Sequence, residues 1–229
     1  MAISGTLVRL LTDLRPLLPK GGTLLEIGEA NWYGDLIPEF PCHNPHNLHD
    51  VAKDFYAALF APRRIVSIDA DGTGDALRKN LNCPLALTEQ FDVSINNGTA
   101  EHIFNIAQVF RTMHEWTSTG GLILHESPFT GWIDHGFYCL QPTLFYDLAA
   151  ANCYEVVTVA IEEIQSQTII RLDNRDHATN LAATGKLQNN SMLFVAFRKL
   201  VDKPFRIPQQ GYYSGTLSDA GMKTWGTLR

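Results

Sequence analysis

The sequence predicts an α/β protein: a mostly parallel sheet with one antiparallel strand and helices on both faces. Three observations carry this. Short apolar runs alternate with segments whose apolar residues recur at helical spacing, the pattern of crossover units. The chain then closes with two strand-like runs, residues 154–161 and 192–200, that have no helical pattern between them. That ending sets one strand against the direction of the rest. Finally, the early strands stop abruptly at Gly28, at Asp69 and at Asn97-Gly98, and open α/β sheets present ligands at that carboxyl edge.

The totals bound the possibilities. A chain of 229 residues suits one domain with a substantial core. An apolar share of 45% and a charged share of 18% mark a globular protein. The net charge of −6 offers no basic face, so neither nucleic acid nor a membrane surface is an expected partner. Residues 1–20 carry Arg9, Asp13 and Arg15 inside their apolar pattern, unlike a signal peptide, and no run is long enough to span a bilayer. Cys42, Cys83, Cys139 and Cys153 are scattered without pairing motifs, as reduced thiols of a cytoplasmic protein would be. The sequons at Asn97 and Asn189 then read as chance matches.

In order along the chain, residues 3–18 carry Ile3, Leu7, Leu10, Leu11, Leu14, Leu17 and Leu18 at helical spacing and should end near Pro19. Residues 23–27 form a buried strand. After a loop rich in Pro and His, Asn47 caps a helix with Val51, Phe55 and Leu59 on its buried stripe, stopped by Pro62. Residues 64–68 are the second strand, and 76–81 fit either a compressed third strand or one helical turn. Residues 91–95 are a strand, and Thr99 caps a helix carrying Ile103, Phe104, Ala107, Phe110, Met113 and Trp116. Gly120-Gly121 turns the chain into the strand 122–125. An aromatic loop, 128–138, and a helix beginning at Pro142 follow. Residues 162–191 are a polar excursion in which 168–172 is strand-like, and Glu162-Glu163 reads as a solvated turn. Residues 1–200 thus make the domain and 201–229 a tail that wraps its surface.

Where the strands end, the side chains suggest chemistry. Glu26 is a carboxylate in an otherwise apolar strand, costly unless it meets donors, and Gly28 permits a tight turn or close approach to a ligand. Glu29 opposes a pyrophosphate here, since phosphates want exposed amides and no nearby carboxylate. An acidic loop carrying Trp32 and Tyr33 suits a cationic ligand instead.

On four segments the chain resembles class I S-adenosylmethionine-dependent methyltransferases: LLEIG (residues 24–28), IVSIDAD (65–71), FDVSINNGTAEHIFN (91–105) and GGLILHESPF (120–129). The resemblance spans roughly residues 21–200 and implies a Rossmann-like, seven-stranded sheet with S-adenosylmethionine as cofactor. It implies that Glu26 and Gly28 lie at the methionine part and that Asp69 accepts from the ribose hydroxyls; Glu29, by its charge, is expected to join them at the cationic cofactor. Asn80, Leu81 and Asn82 would flank the adenine. Asn97, Gly98, Thr99 and Glu101 would stand beside the sulfonium and amino-acid end. Two features depart from the family pattern: Ala30 and Trp32 stand where further glycines are usual, and too few residues separate Asp69 from Asn80 for the usual helix.

Methyl transfer needs mainly positioning, with a base when the nucleophile is a hydroxyl. His135 beside Asp134 is the preferred base and His102 the other candidate; His125, inside a strand, fits the core better. Tyr33, Trp132 and Tyr138 are the expected walls of an acceptor pocket, with Phe129, Phe137 and Tyr146 near them. Cys42, His43, His46 and His49 have spacing that permits ligation, yet no second ligand pair accompanies them and a solvated loop fits better. The sequence thus points to methyl transfer to a small-molecule or glycan-like acceptor, with no metal ligand assigned. A non-catalytic S-adenosylmethionine-binding protein is the alternative that the altered glycine loop suggests. A nicotinamide-dependent oxidoreductase is disfavoured by Glu29 and the missing glycine fingerprint.

Overall fold

The computed structural model describes residues 2–33, 36–86 and 89–228. A two-residue strand, β1 (Ala2–Ile3), leads into α1 (Gly5–Asp13), whose first turn is capped by the Ser4 hydroxyl accepting from Leu7 N–H at 3.1 Å. The long apolar stripe does not make one helix: α1 stops at Leu14, and Arg15–Leu17 forms a single 3-10 turn. Pro16 is the reason, since its ring lacks an N–H and crowds the carbonyl one turn back. The strand β2 (Thr23–Ile27) follows, then β3 (Asn31–Trp32), which pairs in parallel with β1. Next come α2 (Leu48–Phe60), β4 (Arg64–Ile68), β5 (Phe91–Asn97), α3 (Ile106–Trp116) and β6 (Thr117–Thr130). The chain continues through α4 (Pro142–Asn152), β7 (Tyr154–Glu163), β8 (Thr168–Arg171), α5 (Arg175–Ala183) and β9 (Ser191–Lys199) to α6 (Gly211–Ser214) and α7 (Asp219–Leu228). Asn47 caps α2 as expected, accepting from the His49 and Asp50 amides, and Ala61 ends it in the left-handed region at φ 49°.

Seven strands form one sheet in the order β4-β2-β5-β6-β9-β7-β8. The first four run parallel, and β9 lies antiparallel between β6 and β7. The α/β class and the seven-stranded, mostly parallel sheet are those expected. The seventh strand, however, is β8, which runs antiparallel to β7 at the edge. On the other edge, residues 76–81 contribute only one parallel bridge, Leu77 to Ile68. Leu77 N–H donates to Ser67 O at 2.8 Å and Asp69 N–H to Leu77 O at 3.2 Å. A parallel partner needs a crossover of a dozen or more residues, and this segment is too short for one.

Successive strand residues face opposite layers. Leu24, Val93, Ile95, Leu122 and Leu124 pack under α1 and α2 with Leu7, Leu10, Val51 and Phe55. Leu25, Ile27, Ile123, Val195 and Phe197 pack under α3 and α4 with Val109, Met113, Phe145 and Leu148. Both faces of the sheet are therefore covered, which leaves the strand ends as the open surface. The C-terminal segment is tied to the α3–α4 side. His114 Nε2–H donates to Lys203 O at 2.6 Å, and Asn152 bonds both the N–H and the C=O of Arg206, at 2.7 and 3.0 Å. Among the described residues, no helix is long and apolar enough to cross a membrane.

Candidate active site

The first part of the site is the turn after β2. Gly28 sits at φ +85°, and its N–H donates to Ile68 O at 2.8 Å. A Cβ added there would lie 2.2 Å from Thr99 Oγ1, so the close approach of two strand ends requires glycine. Asp69 closes the same corner: its Oδ2 accepts from Glu29 N–H and its Oδ1 from Asp71 N–H, both at 2.9 Å. Gly28, Asp69, Asn80, Leu81, Thr99 and Ile103 line a cleft of about 430 Å³.

Two residues expected at the cofactor face elsewhere. Glu29 is buried and turned to Thr73, accepting from its N–H and hydroxyl at 2.7 and 2.8 Å, with Lys53 Nζ at 3.7 Å. It holds the turn after Asp69 in place of the missing helix. Glu26 lies within the sheet, where it accepts from the Ser67 hydroxyl at 2.5 Å, and burial pushes its carboxyl up to about 7. Neither lines a cavity at this edge.

The second part is the turn after β5. Asn96 Oδ1 accepts from Ala100 N–H at 2.8 Å, so Asn96 does the capping expected of Thr99. A 3-10 turn, Ala100–His102, follows, and α3 starts only at Ile106. This turn is a shared wall. Thr99 and Ile103 face the first cleft, whereas Asn97, Gly98, Glu101 and His102 face a second cavity of about 690 Å³. Tyr33, Glu126, Trp132 and His135 line the second cavity as well.

The aromatic loop reaches this cavity because it is stapled on both sides. Phe137 N–H donates to Glu101 O at 2.8 Å and the Tyr138 hydroxyl to Phe104 O at 2.7 Å. On the other flank, Trp132 Nε1–H donates to Ser191 O at 2.9 Å. His135 is thereby set beside His102 and Trp132, with ring centroids 5.0 and 4.9 Å away. Tyr138 is a staple and does not line the pocket expected of it. Asp134 is also corrected: it occupies an exposed corner at φ 60°, and among the described residues no hydrogen bond or ion pair joins it to His135. The carboxylate that faces His135 is Glu101, whose Oε1 lies 3.9 Å from His135 Nε2 and 4.0 Å from His102 Nε2.

Glu101 is 0% exposed, and neither of its carboxyl oxygens meets a donor among the described residues. Burial pushes it up to about 7. Burial, then the neighbouring His135, push His102 below the usual imidazole range. Beneath them lie two acids that sequence reasoning did not assign to the site, Glu126 on β6 and Glu162 on β7, at 3% and 0% exposure. Burial comes first in raising both carboxyls above the usual range, and their proximity raises Glu126 further. The signal for Glu126 was present: an acid inside the apolar run LILHES is the pattern that singled out Glu26. Glu162 and Glu163 were expected in solvent, but β7 runs on through both, pairing them with Met192 and Ser191. His125 is a core residue between Phe110 and Phe145, 5.3 Å from each ring, and burial pushes it down to about 3. In the loop before α2, His43 Nδ1 bonds Asp54 at 2.6 Å and His49 Nδ1 bonds Ala30 O at 2.8 Å.

No protein-family model and no curated protein matches the chain. Among solved structures, it is similar to the N-methyltransferase NodS of Bradyrhizobium japonicum bound to S-adenosylhomocysteine, at TM-score 0.51 and 13% identity, over 86% of this chain and 88% of that one. It is equally similar to the [4+2]-cyclase SpnF, at TM-score 0.51 and 16% identity, over 86% of this chain and 82% of that one. A Bacillus halodurans protein described as a methyltransferase gives TM-score 0.52 and 11% identity, over 86% of this chain and all of its own. The fold is that of the class I S-adenosylmethionine-dependent methyltransferases. With a cyclase among the neighbours, the reaction has to be argued from the site.

Proposed function

We propose that the protein is a cytoplasmic enzyme that transfers a methyl group from S-adenosylmethionine to a small-molecule or glycan-like acceptor. The observation that carries this reading is the wall formed by residues 97–103. It separates a cleft edged by Gly28 and Asp69 from a larger, acid-floored cavity, on the fold that the known methyltransferases share. When bound, S-adenosylmethionine supplies an electrophilic methyl group on a cationic sulfur.

The residues fit that cofactor. Each Asp69 oxygen accepts one backbone amide and keeps a lone pair for a ribose hydroxyl. Asn80 and Leu81 would flank the adenine, with Gly28 and Thr99 against the sugar. Asn97, Gly98 and Glu101 would receive the methionine end, where Glu101 and Glu126 favour positive charge. Tyr33 and Trp132 would hold the acceptor. His102 or His135 would take its proton: both rings open on the cavity, and burial favours the neutral, proton-accepting form of His102.

Calorimetric titration with S-adenosylmethionine and S-adenosylhomocysteine, followed by labelled-methyl transfer to a pool of small acceptors, tests the proposal. Micromolar binding with transfer is expected, and binding of neither compound sinks the reading. One observation favours a second reading, a cofactor-binding protein without methyl transfer: Trp32, at a usual glycine position, is buried against Phe40 and Phe55 with ring centroids 5.2 and 5.5 Å away. That reading predicts S-adenosylhomocysteine binding with no turnover on any acceptor.

A further inference from the structure

We infer that Glu101, His102 and His135 form a binding site for a divalent first-row transition-metal ion at the wall of the acceptor cavity. One carboxylate oxygen and two imidazole nitrogens lie within 4.8 Å of one another. The two residues from the β5 turn and the one from the aromatic loop are brought together by the Phe137–Glu101 and Tyr138–Phe104 bonds. Two histidines with one carboxylate are a donor set that leaves coordination positions open and suits ions such as Fe²⁺, Co²⁺ or Zn²⁺.

Two further observations point to a bound cation. First, Glu101 is fully buried and aimed at the cavity, yet neither oxygen has a donor among the described residues. A buried carboxyl left in that state is costly, and a metal ion satisfies it. Second, both Nε2 atoms stand 3.9–4.0 Å from Oε1, too far for hydrogen bonds yet close enough to share an ion. An ion with bonds of about 2.1 Å holds its ligand atoms roughly 3.0–3.4 Å apart. Closing the cluster needs small rotations of two side chains that are 46% and 40% exposed. Trp132 packs on His135 and is itself anchored to Ser191, which restrains the ring from the far side.

The use of the ion rests on the methyl-transfer reading. Its open positions face the cavity and would take an oxygen of the acceptor, which makes the acceptor an oxygen nucleophile. The ion then replaces the histidines as the means of activating the hydroxyl and takes Glu101 as its ligand, which leaves Asn97, Gly98 and Glu126 to the methionine end. The hydroxyl proton leaves to solvent, the C–O bond forms as the S–CH₃ bond breaks, and a neutral thioether departs.

The test is titration of EDTA-treated, desalted protein with Co²⁺, read by visible absorbance, and with Zn²⁺, read by calorimetry. One equivalent should bind, and Glu101→Gln and His135→Ala should each weaken it at least ~100-fold. His46→Ala, in the exposed loop before α2, should bind as the parent does. If Glu101→Gln misfolds by circular dichroism, His102→Asn and His135→Asn at the exposed positions give the same reading. No stoichiometric binding, or undiminished binding in the ligand variants, overturns the site. Titration of S-adenosylhomocysteine into the same preparations separates the two proposals. Metal binding without it leaves the site standing and removes the methyltransferase, and the reverse outcome does the opposite.

Discussion

The two halves of the strand edge solve different problems. On the β2–β4 side, each carboxylate meets donors close in space: Asp69 two amides, Glu29 the Thr73 amide and hydroxyl, and Glu26 the Ser67 hydroxyl on one of its two oxygens. On the β5–β6–β7 side, Glu101 lacks donors and Glu126 and Glu162 share a buried corner. In the proposed reading the first half needs no metal ion, whereas the second would be completed by one. Sites that do chemistry keep such imbalances, because groups with perturbed protonation are the ones available to act. In the proposed reading the first half grips the nucleoside of the cofactor, and the second takes its methionine end and performs the reaction.

Blocking the first half should produce the largest effect. Gly28→Val places a side chain against Thr99 at a positive φ, so S-adenosylhomocysteine binding should fall below detection by calorimetry. The same variant should melt earlier by more than about 1 kcal/mol. Asp69→Ala is milder: losing charged hydrogen bonds worth about 1.5–3 kcal/mol should weaken cofactor binding roughly 10- to 100-fold. If both variants bind as the parent does, the cleft assignment fails and with it the contrast between the halves.

The second half should reveal itself through pH. Burial raises Glu101 and Glu162 from 4.5 to about 7. An acid whose folded value is raised contributes stability that is fully present below its unfolded value and lost as pH rises through about 7. Melting temperature should therefore fall between about pH 4.5 and pH 7.5 and level off above that, and Glu162→Gln should flatten that fall. The ceiling for one group moved this far is about 3 kcal/mol. Glu26, raised by the same cause, gives the same sign on the first half, so Glu26→Gln should flatten the curve too. The comparison sharpens on adding Co²⁺: the ion should rescue the high-pH loss in the Glu26→Gln protein and fail to do so once Glu101 is Gln.

The corner between Gly28 and Asp69 was legible in the sequence because its signals are local, whereas Glu26 and Glu29, expected beside it, turn into the sheet and toward Thr73. Gly28 and Asp69 each end a strand, and a strand end needs no knowledge of partners. Asn80 and Leu81 were expected there only through the family resemblance, and they line the same cleft. The second half was legible only as a set of residue types. His102 and His135 were singled out separately, but the carboxylate facing His135 was sought next door, at Asp134, when the fold supplies it from Glu101, beside His102 in the turn after β5. Adjacent residues in a turn project apart, and a backbone at φ 60° sends Asp134 outward. Glu126 and Glu162 belong to one corner only because β9 pairs β6 with β7 across the sheet. The replacement of the third strand by β8 was hidden for the same reason, since edge pairing is decided by which segment can reach.

The smallest predicted effect is also the most specific to the loop that unites the two histidines. Trp132→Phe keeps an aromatic ring against His135 but removes the Nε1–H bond to Ser191 O. Its cost in stability should be about 1 kcal/mol, the net worth of one such bond. The loop would still be held at Phe137 and Tyr138, so the cofactor cleft, which Trp132 does not line, should be untouched. Affinity for S-adenosylhomocysteine should therefore stay within twofold of the parent, while metal affinity and acceptor KM move together as His135 loosens. A change in cofactor affinity with metal binding unaltered would mean that the loop belongs to the first half, and that the wall at residues 97–103 divides nothing.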